Sequence, residues 1–346
     1  MPTAPTPAAE PACRSASREP RENRMSNGAG RKLVYRATLL LFAVLPCVSA
    51  RAANCVPELL AEVNLLITPD GGVFMPATIG GRPVYFSLSL GNGLPGMLES
   101  SAKSLGLVPK RINGTGKFSK GITHFVMLED LKVGGVGFAR RAAPLLPQTG
   151  GSNEALLDGR LVAGSMGSTL FQRVDVELNL AERQMKLFKS FQCPGQSPAY
   201  WNPQATRFPA HFDEAEALVF TLELNGKKVE ASMLSGARES TLDANAASRF
   251  FGIEPHSGVN GEGTTFHPMS LTGPGLAIPE NKVMLRQGSC ELSANKTPYG
   301  GIGYKTCINS VPFKLGLDLL TQMRIYVASA RESVYITFNP TAPPAD

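Results

Sequence analysis

The stretch "VYFSLSLGNGLPGMLESSAKSLGL" (84–107) decides how this chain is read. Alternating apolar residues up to Leu90 predict a strand, the glycines that follow predict a turn, and the run behind them predicts a short helix ending in Leu-Gly-Leu. Nothing at the turn, built on Ser89, Leu90 and Gly91, offers obvious chemistry.

The stretch has a twin. "NGKKVEASMLSGARESTLDANAASRFFGI" (225–253) lies on "GGRPVYFSLSLGNGLPGMLESSAKSLGL" (80–107), with Val84 against Val229, Gly91 against Gly236 and Ala102 against Ala247. A second pair, "SMGSTLFQRVDVELNLAERQMKLF" (165–188) and "KLGLDLLTQMRIYVASARESVYIT" (314–337), sets Gly167 on Gly316 and Val176 on Ile325. Each half therefore runs in one order: hairpin, glycine turn, short helix, a middle stretch of strands, a second glycine turn with a short helix, and a closing hairpin. Alternation predicts strands in "VDVELNL", "QMKLF", "RIYVA" and "VYITF". Between the halves, "CPGQSPAYWNPQATRFPAHFDEAE" (193–216) is rich in proline and aromatics, shows no period, and reads as a linker. The expected divisions are an N-terminal extension (1–24), a signal peptide (25–53), a first lobe (54–192), the linker (193–216), a second lobe (217–340) and a tail (341–346).

Of 346 residues, 43% are hydrophobic and 18% charged, enough for one large core or two medium ones. The net charge of +6 is local: residues 1–53 hold eight basic and three acidic side chains, and the remainder carries 26 basic against 25 acidic. A nearly neutral body has no electrostatic footprint for nucleic acid. Arg31, Lys32 and Arg36 precede the apolar run "ATLLLFAVL" (37–45) and the small residues of "VSARAA", the pattern of a secretory signal with cleavage after Ala50, Ala52 or Ala53. The run is shorter than a membrane span, so no stable span is expected after processing, and an uncleaved signal acting as an inner-membrane anchor is the alternative. Met25 is the expected true start, and a secreted or periplasmic location follows.

Export bears on the cysteines. Cys13 and Cys47 fall in the discarded region, leaving Cys55, Cys193, Cys290 and Cys307, an even number in an oxidising compartment. Their positions favour Cys290 with Cys307 inside the second half, and Cys55 with Cys193 tying the start of the first half to its end. No cysteine spacing resembles a zinc site, and His124, His211, His256 and His267 are scattered without ligand spacing, so neither metal nor cofactor is expected.

The glycine turn with its helix ending in LGL, followed by a hydrophobic-glycine turn and a hairpin, all in register twice over, resembles the aspartic protease superfamily in its retropepsin-like and pepsin-like forms. The resemblance covers nearly all of residues 63–338. It implies a mostly β, two-lobed acid-protease-like fold, each lobe a closed or partly closed β-barrel with short helices. In that family each lobe contributes an Asp-Thr/Ser-Gly turn, and the two meet at the lobe interface. Carried onto this chain, those positions are Ser89, Leu90 and Gly91 in the first lobe and Leu234, Ser235 and Gly236 in the second. Both glycines are kept and both aspartates are absent.

Two carboxylates about 3 Å apart share a proton, one acting as base toward water and the other as acid toward the scissile carbonyl. Serine and leucine supply neither function, so no catalytic residue is assigned. Asp70, Asp158 and Asp318 are the other acids near these turns in sequence, and the resemblance sets none of them at the interface. Ser100-x-x-Lys103 lacks the partner motifs of serine acyl-transferases, "GSMGS" lacks the first glycine of a nucleophile elbow, and "GGIGYK" (300–305) precedes no Walker-type Lys-Ser/Thr helix. "INGTGKFSKGITHFVML" (112–128) and "VNGEGTTFHPMSL" (259–271) open alike, with Asn113, Gly114 and Gly116 in one and Asn260, Gly261 and Gly263 in the other. The resemblance implies that these are flaps over a cleft. A cleft without acids can still hold an extended peptide through strand-like backbone hydrogen bonds. The function expected is thus a catalytically silent binding protein for peptide or protein segments; the alternatives are an endopeptidase with unorthodox catalytic groups and a scaffold with a vestigial cleft.

Overall fold

Apolar alternation becomes paired strands along the whole repeat. The computed structural model describes residues 56–338 apart from 92, 94, 113–121, 147–154, 194, 214–215, 254–264, 274–275 and 287–310. The signal segment, both Asn-Gly-x-Gly stretches, the 300–305 loop, the tail and Cys55, Cys290 and Cys307 lie outside the described residues. The first half is built from β1 (Leu59–Asn64), β2 (Val73–Ile79), β3 (Arg82–Ser89), β4 (Gly96–Leu98), helix α1 (Glu99–Ser104), β5 (His124–Leu128), β6 (Arg141–Leu146), β7 (Arg160–Gly167), β8 (Asp175–Asn179) and β9 (Gln184–Phe188). The second half repeats the series as β10 (Thr206–Phe212), β11 (Leu218–Leu224), β12 (Lys227–Met233), β13 (Thr241–Asp243), helix α2 (Ala244–Phe251), β14 (Thr265–Gly273), β15 (Leu276–Arg286), β16 (Phe313–Leu315), helix α3 (Leu317–Leu320), β17 (Met323–Ala328) and β18 (Ser333–Phe338). In the first half a 3-10 turn, Ser168–Gln172, stands where the second has α3.

The fold is mostly β, and the pairing order repeats with the sequence. The first half reads β5-β6-β4-β7-β3-β2 and the second β14-β15-β13-β16-β12-β11. In the second half β11 also pairs with β14, and in the first half β2 pairs with the strand Leu131–Val133 that follows β5, at Thr78 opposite Lys132 and Ile79 opposite Leu131, so the two ends of each order are joined alike. The halves share a third arrangement, six strands in the order β1-β9-β8-β17-β18-β10. At its centre β8 runs antiparallel to β17 with Glu177 opposite Tyr326. One continuous apolar core, from Val63 and Phe86 to Phe313 and Ile336, runs through both halves.

The segment 193–216 is more than a linker. Its end forms β10, with Thr206, Phe208 and Ala210 buried and Arg207, Pro209 and His211 exposed. The alternation is there in the sequence, but Pro209 interrupts its appearance; the proline is tolerated because β10 is paired there on one side only, with Ser333 of β18, and its pairing with β11 begins at Ala210. The rest of the segment covers a face of that sheet, where Ala199, Trp201 and Ala205 join Phe188, Tyr326, Ala328 and Tyr335 in a separate apolar cluster. Trp201 donates its indole N–H to Thr337 Oγ1 at 3.0 Å, and Phe188, Tyr200, Trp201 and Tyr326 form a chain of ring contacts. Cys193 is disulfide-bonded. Arg331 donates to the carbonyls of Phe191, Cys193 and Gln196 and lies over the Phe191 ring, pinning the start of the segment.

Asp175 and Glu177 point to this covered face because β8 alternates. Glu177, 1% exposed, meets Arg324 at 2.8 Å, and the guanidinium sits 4.4 Å from the Trp201 ring centre. Burial, with Glu177 close by, pushes the Tyr200 phenol up to about 12. Removing the arginine strands a buried charge, so Arg324→Ala is expected to cost about 3–5 kcal/mol in denaturant unfolding, more than the Glu177→Gln/Arg324→Met double change.

Asp175 accepts from the N–H groups of Phe191 (2.9 Å) and Ser329 (3.2 Å) and from the Tyr326 hydroxyl (3.2 Å). Burial nevertheless raises its carboxyl above the ordinary carboxylate value, against these hydrogen bonds and the Arg331 charge. The folded chain thus holds this proton more tightly than the unfolded chain does. Its contribution is full below the ordinary value and is lost as pH rises through the folded one. Between pH of about 4 and 7, the unfolding midpoint is expected to fall more steeply in the wild type than in Asp175→Asn, which cannot ionise.

Candidate functional site

The two glycine turns come from the same local construction. β7 lies parallel to β3, with Gly167 opposite Ser89, and β16 lies parallel to β12, with Leu315 opposite Met233. The Leu234 N–H continues the second ladder by donating to Leu315 O at 2.8 Å. Each turn thus hangs from the end of a central strand that has neighbours on both sides.

The turns meet. Ser235, fully buried, accepts from the Leu90 N–H at 3.2 Å and donates its hydroxyl proton to Leu88 O at 2.5 Å. Gly91 approaches so closely that a Cβ there would stand 2.9 Å from Met233 O, a contact that excludes any side chain. The offset of 145 residues that sets Ser235 on Leu90 also sets Met233 on Leu88, so a symmetric molecule would return the bridge from residue 90 to Met233 O. Leu90 carries no hydroxyl and is buried as part of the core. The tie therefore runs one way.

A second contact between the halves is reciprocal. The turn Thr68–Gly72 closes with Thr68 N–H to Gly72 O and Gly72 N–H to Thr68 Oγ1; the turn Asp213–Ala217 closes with Asp213 N–H to Ala217 O and Ala217 N–H to Asp213 Oδ1. Each crosses to the other half. Gly71, at φ +88°, passes so close to Arg238 and Leu317 that a Cβ would stand 2.8 Å from the Arg238 side chain, and Glu216 O accepts from the Ser168 hydroxyl at 2.5 Å.

Ser89 and Leu234, which the resemblance sets at the motif's aspartate positions, are both half-buried, and neither turn carries an ionisable side chain. Of the other acids, Asp70 and Asp158 are exposed on turns. The Asp318 carboxylate is committed to its own half, accepting from the Ser240 hydroxyl at 2.6 Å and the Leu319 N–H at 2.9 Å. Among the described residues no group of three or more His, Cys, Asp or Glu could hold a metal ion. Sequence reasoning singled out Ser235 as part of a turn but missed its role as the tie; its hydroxyl at the motif's Thr/Ser position was the signal.

No protein-family model matches this sequence, and no curated protein matches it. Among solved structures the chain is similar to the aspartic proteinase from Irpex lacteus, at 10% identity and a TM-score of 0.44, over 82% of this chain and 98% of that one.

Stripping the tie leaves a buried N–H and a buried carbonyl without their shared partner. Ser235→Ala is expected to lower stability by about 1–3 kcal/mol in urea unfolding; an unchanged midpoint would show that the turns hold together without the hydroxyl.

Proposed function

We propose that this chain is an exported, aspartic-protease-like protein without peptidase activity, which holds an extended peptide or protein segment in a cleft over the two turns. The observation that carries the reading is the junction itself. Two matching turns from the two halves of the repeat are held together by Ser235, with Ser89 and Leu234 where a proton-sharing carboxylate pair would be needed. A serine hydroxyl and a leucine side chain supply no carboxylate pair to share a proton between water and a scissile carbonyl. The apolar Leu234 beside a hydroxyl at Ser89 suits a floor that receives an extended chain, whose backbone would be met by strand-like hydrogen bonds from the walls. The export reading rests on the basic and apolar pattern of residues 31–53. The pairing of Cys193 with Cys55 is supported by the ladder of β1 on β9, continued by the Lys189 N–H to Glu58 O bond, which runs from Leu59 back toward residue 55 as β9 runs on toward Cys193.

A broad peptide library incubated with the purified chain at pH from about 3 to 8 is expected to come through uncleaved, because no carboxylate pair exists to share a proton. The same library offered to immobilised protein should yield captured peptides, and Leu234→Arg, which puts a charge on the floor, should abolish capture. Ser89→Asp combined with Leu234→Asp should create a coupled pair that titrates in two separated steps. Cleavage by the wild type that survives Ser89→Ala and Leu234→Ala would overturn the inactive reading, and capture unaffected by Leu234→Arg would overturn the cleft.

A further inference from the structure

The covered face of the six-stranded arrangement carries a row of side chains set opposite one another. Glu177 of β8 faces Tyr326 of β17, Tyr326 faces Tyr335 of β18, and Tyr335 faces Arg207 of β10. At one end the row is satisfied within the protein, Glu177 by Arg324 and the Tyr326 hydroxyl by Asp175. At the other end a cavity of about 800 Å³ lies between the segment 191–205 and the strands β10 and β18, with Phe191, Ala205, Arg207, Ala330, Arg331 and Tyr335 in its wall. That volume falls in the range of about 300–1,000 Å³ found for small-ligand sites, and the wall includes no residue of the two glycine turns.

The charge of this cavity is one-sided. Two arginines line it, and among the described residues no acidic side chain does. Arg331 spends all three nitrogens on the carbonyls of Phe191, Gln196 and Cys193, so it supplies charge. Arg207 is placed differently. Its Nε donates to Ser333 Oγ at 2.9 Å, and that hydroxyl donates to Arg331 O at 2.8 Å, which sets the Arg207 side chain on the same face as Tyr335. Among the described residues the two terminal nitrogens of Arg207 have no hydrogen-bond or ion-pair partner. The Tyr335 hydroxyl has none either, although the residue is only 5% exposed, and it opens on the cavity. Buried polar groups are ordinarily paired, so an unpaired hydroxyl beside an unpaired guanidinium fork is a set of donors awaiting an acceptor.

We propose that this cavity binds a small carboxylic acid with an apolar body. The planar Arg207 fork matches the two oxygens of a carboxylate side by side, and the Tyr335 hydroxyl donates to one of them. Arg331, whose guanidinium lies 4.6 Å from the centre of the Phe191 ring, adds a second positive charge. The body of the ligand lies along Phe191, Ala205 and Ala330. An anion without a body forgoes that apolar wall, and an uncharged chain leaves the fork unpaired.

The single tryptophan of the chain reports on the site, because Trp201 and Ala205 pack against the cluster that contains Tyr335. The full chain is titrated with sodium octanoate while its fluorescence is followed, in parallel with 1-octanol, sodium acetate and octyl phosphate. Octanoate should give a saturable change with half-saturation near about 1 mM, and 1-octanol and acetate should each need at least about ten times more. Arg207→Gln, a change at an exposed side chain, should fold and raise the half-saturating octanoate concentration about tenfold, the worth of one charge-assisted contact. Tyr335→Phe should raise it about threefold and leave the response to 1-octanol unaltered, which a merely structural hydroxyl would not do; this variant decides the matter if Arg207→Gln does not fold. A change linear in octanoate, or equal half-saturation for octanoate and 1-octanol, or for wild type and Arg207→Gln, would overturn the site. Tighter binding of octyl phosphate than of octanoate would overturn the carboxylate as its ligand.

Discussion

One buried hydroxyl organises the middle of this molecule. Ser235 offers a single oxygen that both accepts and donates, and it uses both capacities on the backbone of the opposite half, at Leu90 and Leu88. In a fully desolvated position each of those backbone groups would otherwise be an orphan, so the hydroxyl converts a liability of the interface into a fixed distance between the two turns. That distance lets Gly91 lie against the Met233 carbonyl and brings the ends of β3 and β12 side by side. Leu90 holds the symmetric position by packing instead. At the two turns the interface thus joins a directional contact on one side to a non-directional one on the other.

Serine and leucine, rather than ionisable side chains, also set the energetics of the two turns. A pair of ionisable groups at a buried junction must be desolvated and must share one proton, which costs stability that an enzyme spends on function. With Ser89 and Leu234 at the turns no such cost arises there. The ionisable burden of the fold lies elsewhere, on the covered face of the six-stranded arrangement, where Asp175 and Glu177 are each answered by named donors.

Much of this was legible in the sequence because the repeat is carried by spacing rather than by residue identity. The offset of 145 residues holds from β2 through the start of α1, and that of 149 from the end of β7 through β9; even the central pair of the shared sheet, Glu177 opposite Tyr326, is separated by that second offset. What escaped had no counterpart in such spacing. β10 was hidden by Pro209 and by the aromatic segment before it, whose rings look like linker composition until they are seen covering a sheet. The crossing turns escaped because Thr68 and Asp213 cap them with different side chains doing the same work. The one-way tie was legible only in part: the chain shows the hydroxyl at Ser235 and its absence at Leu90, but not that the backbone of Leu88 and Leu90 is what the hydroxyl meets.

The six-stranded arrangement interleaves the halves: β8 and β9 come from the first, β17 and β18 from the second, with β1 at one end and β10 leading on into β11 at the other. A cut at the segment joining the halves would therefore separate no finished body from another. The first half alone would present the open edge of β8 beside Asp175 and Glu177, and the second would present β17 with its tyrosine and arginine, each a flat row of unpaired backbone groups that invites pairing with any neighbouring strand. The order of synthesis then matters. The first half emerges with its edge exposed and must wait for residues some 150 positions later to cover it, so the hazard for this fold lies in the interval before its last two strands arrive.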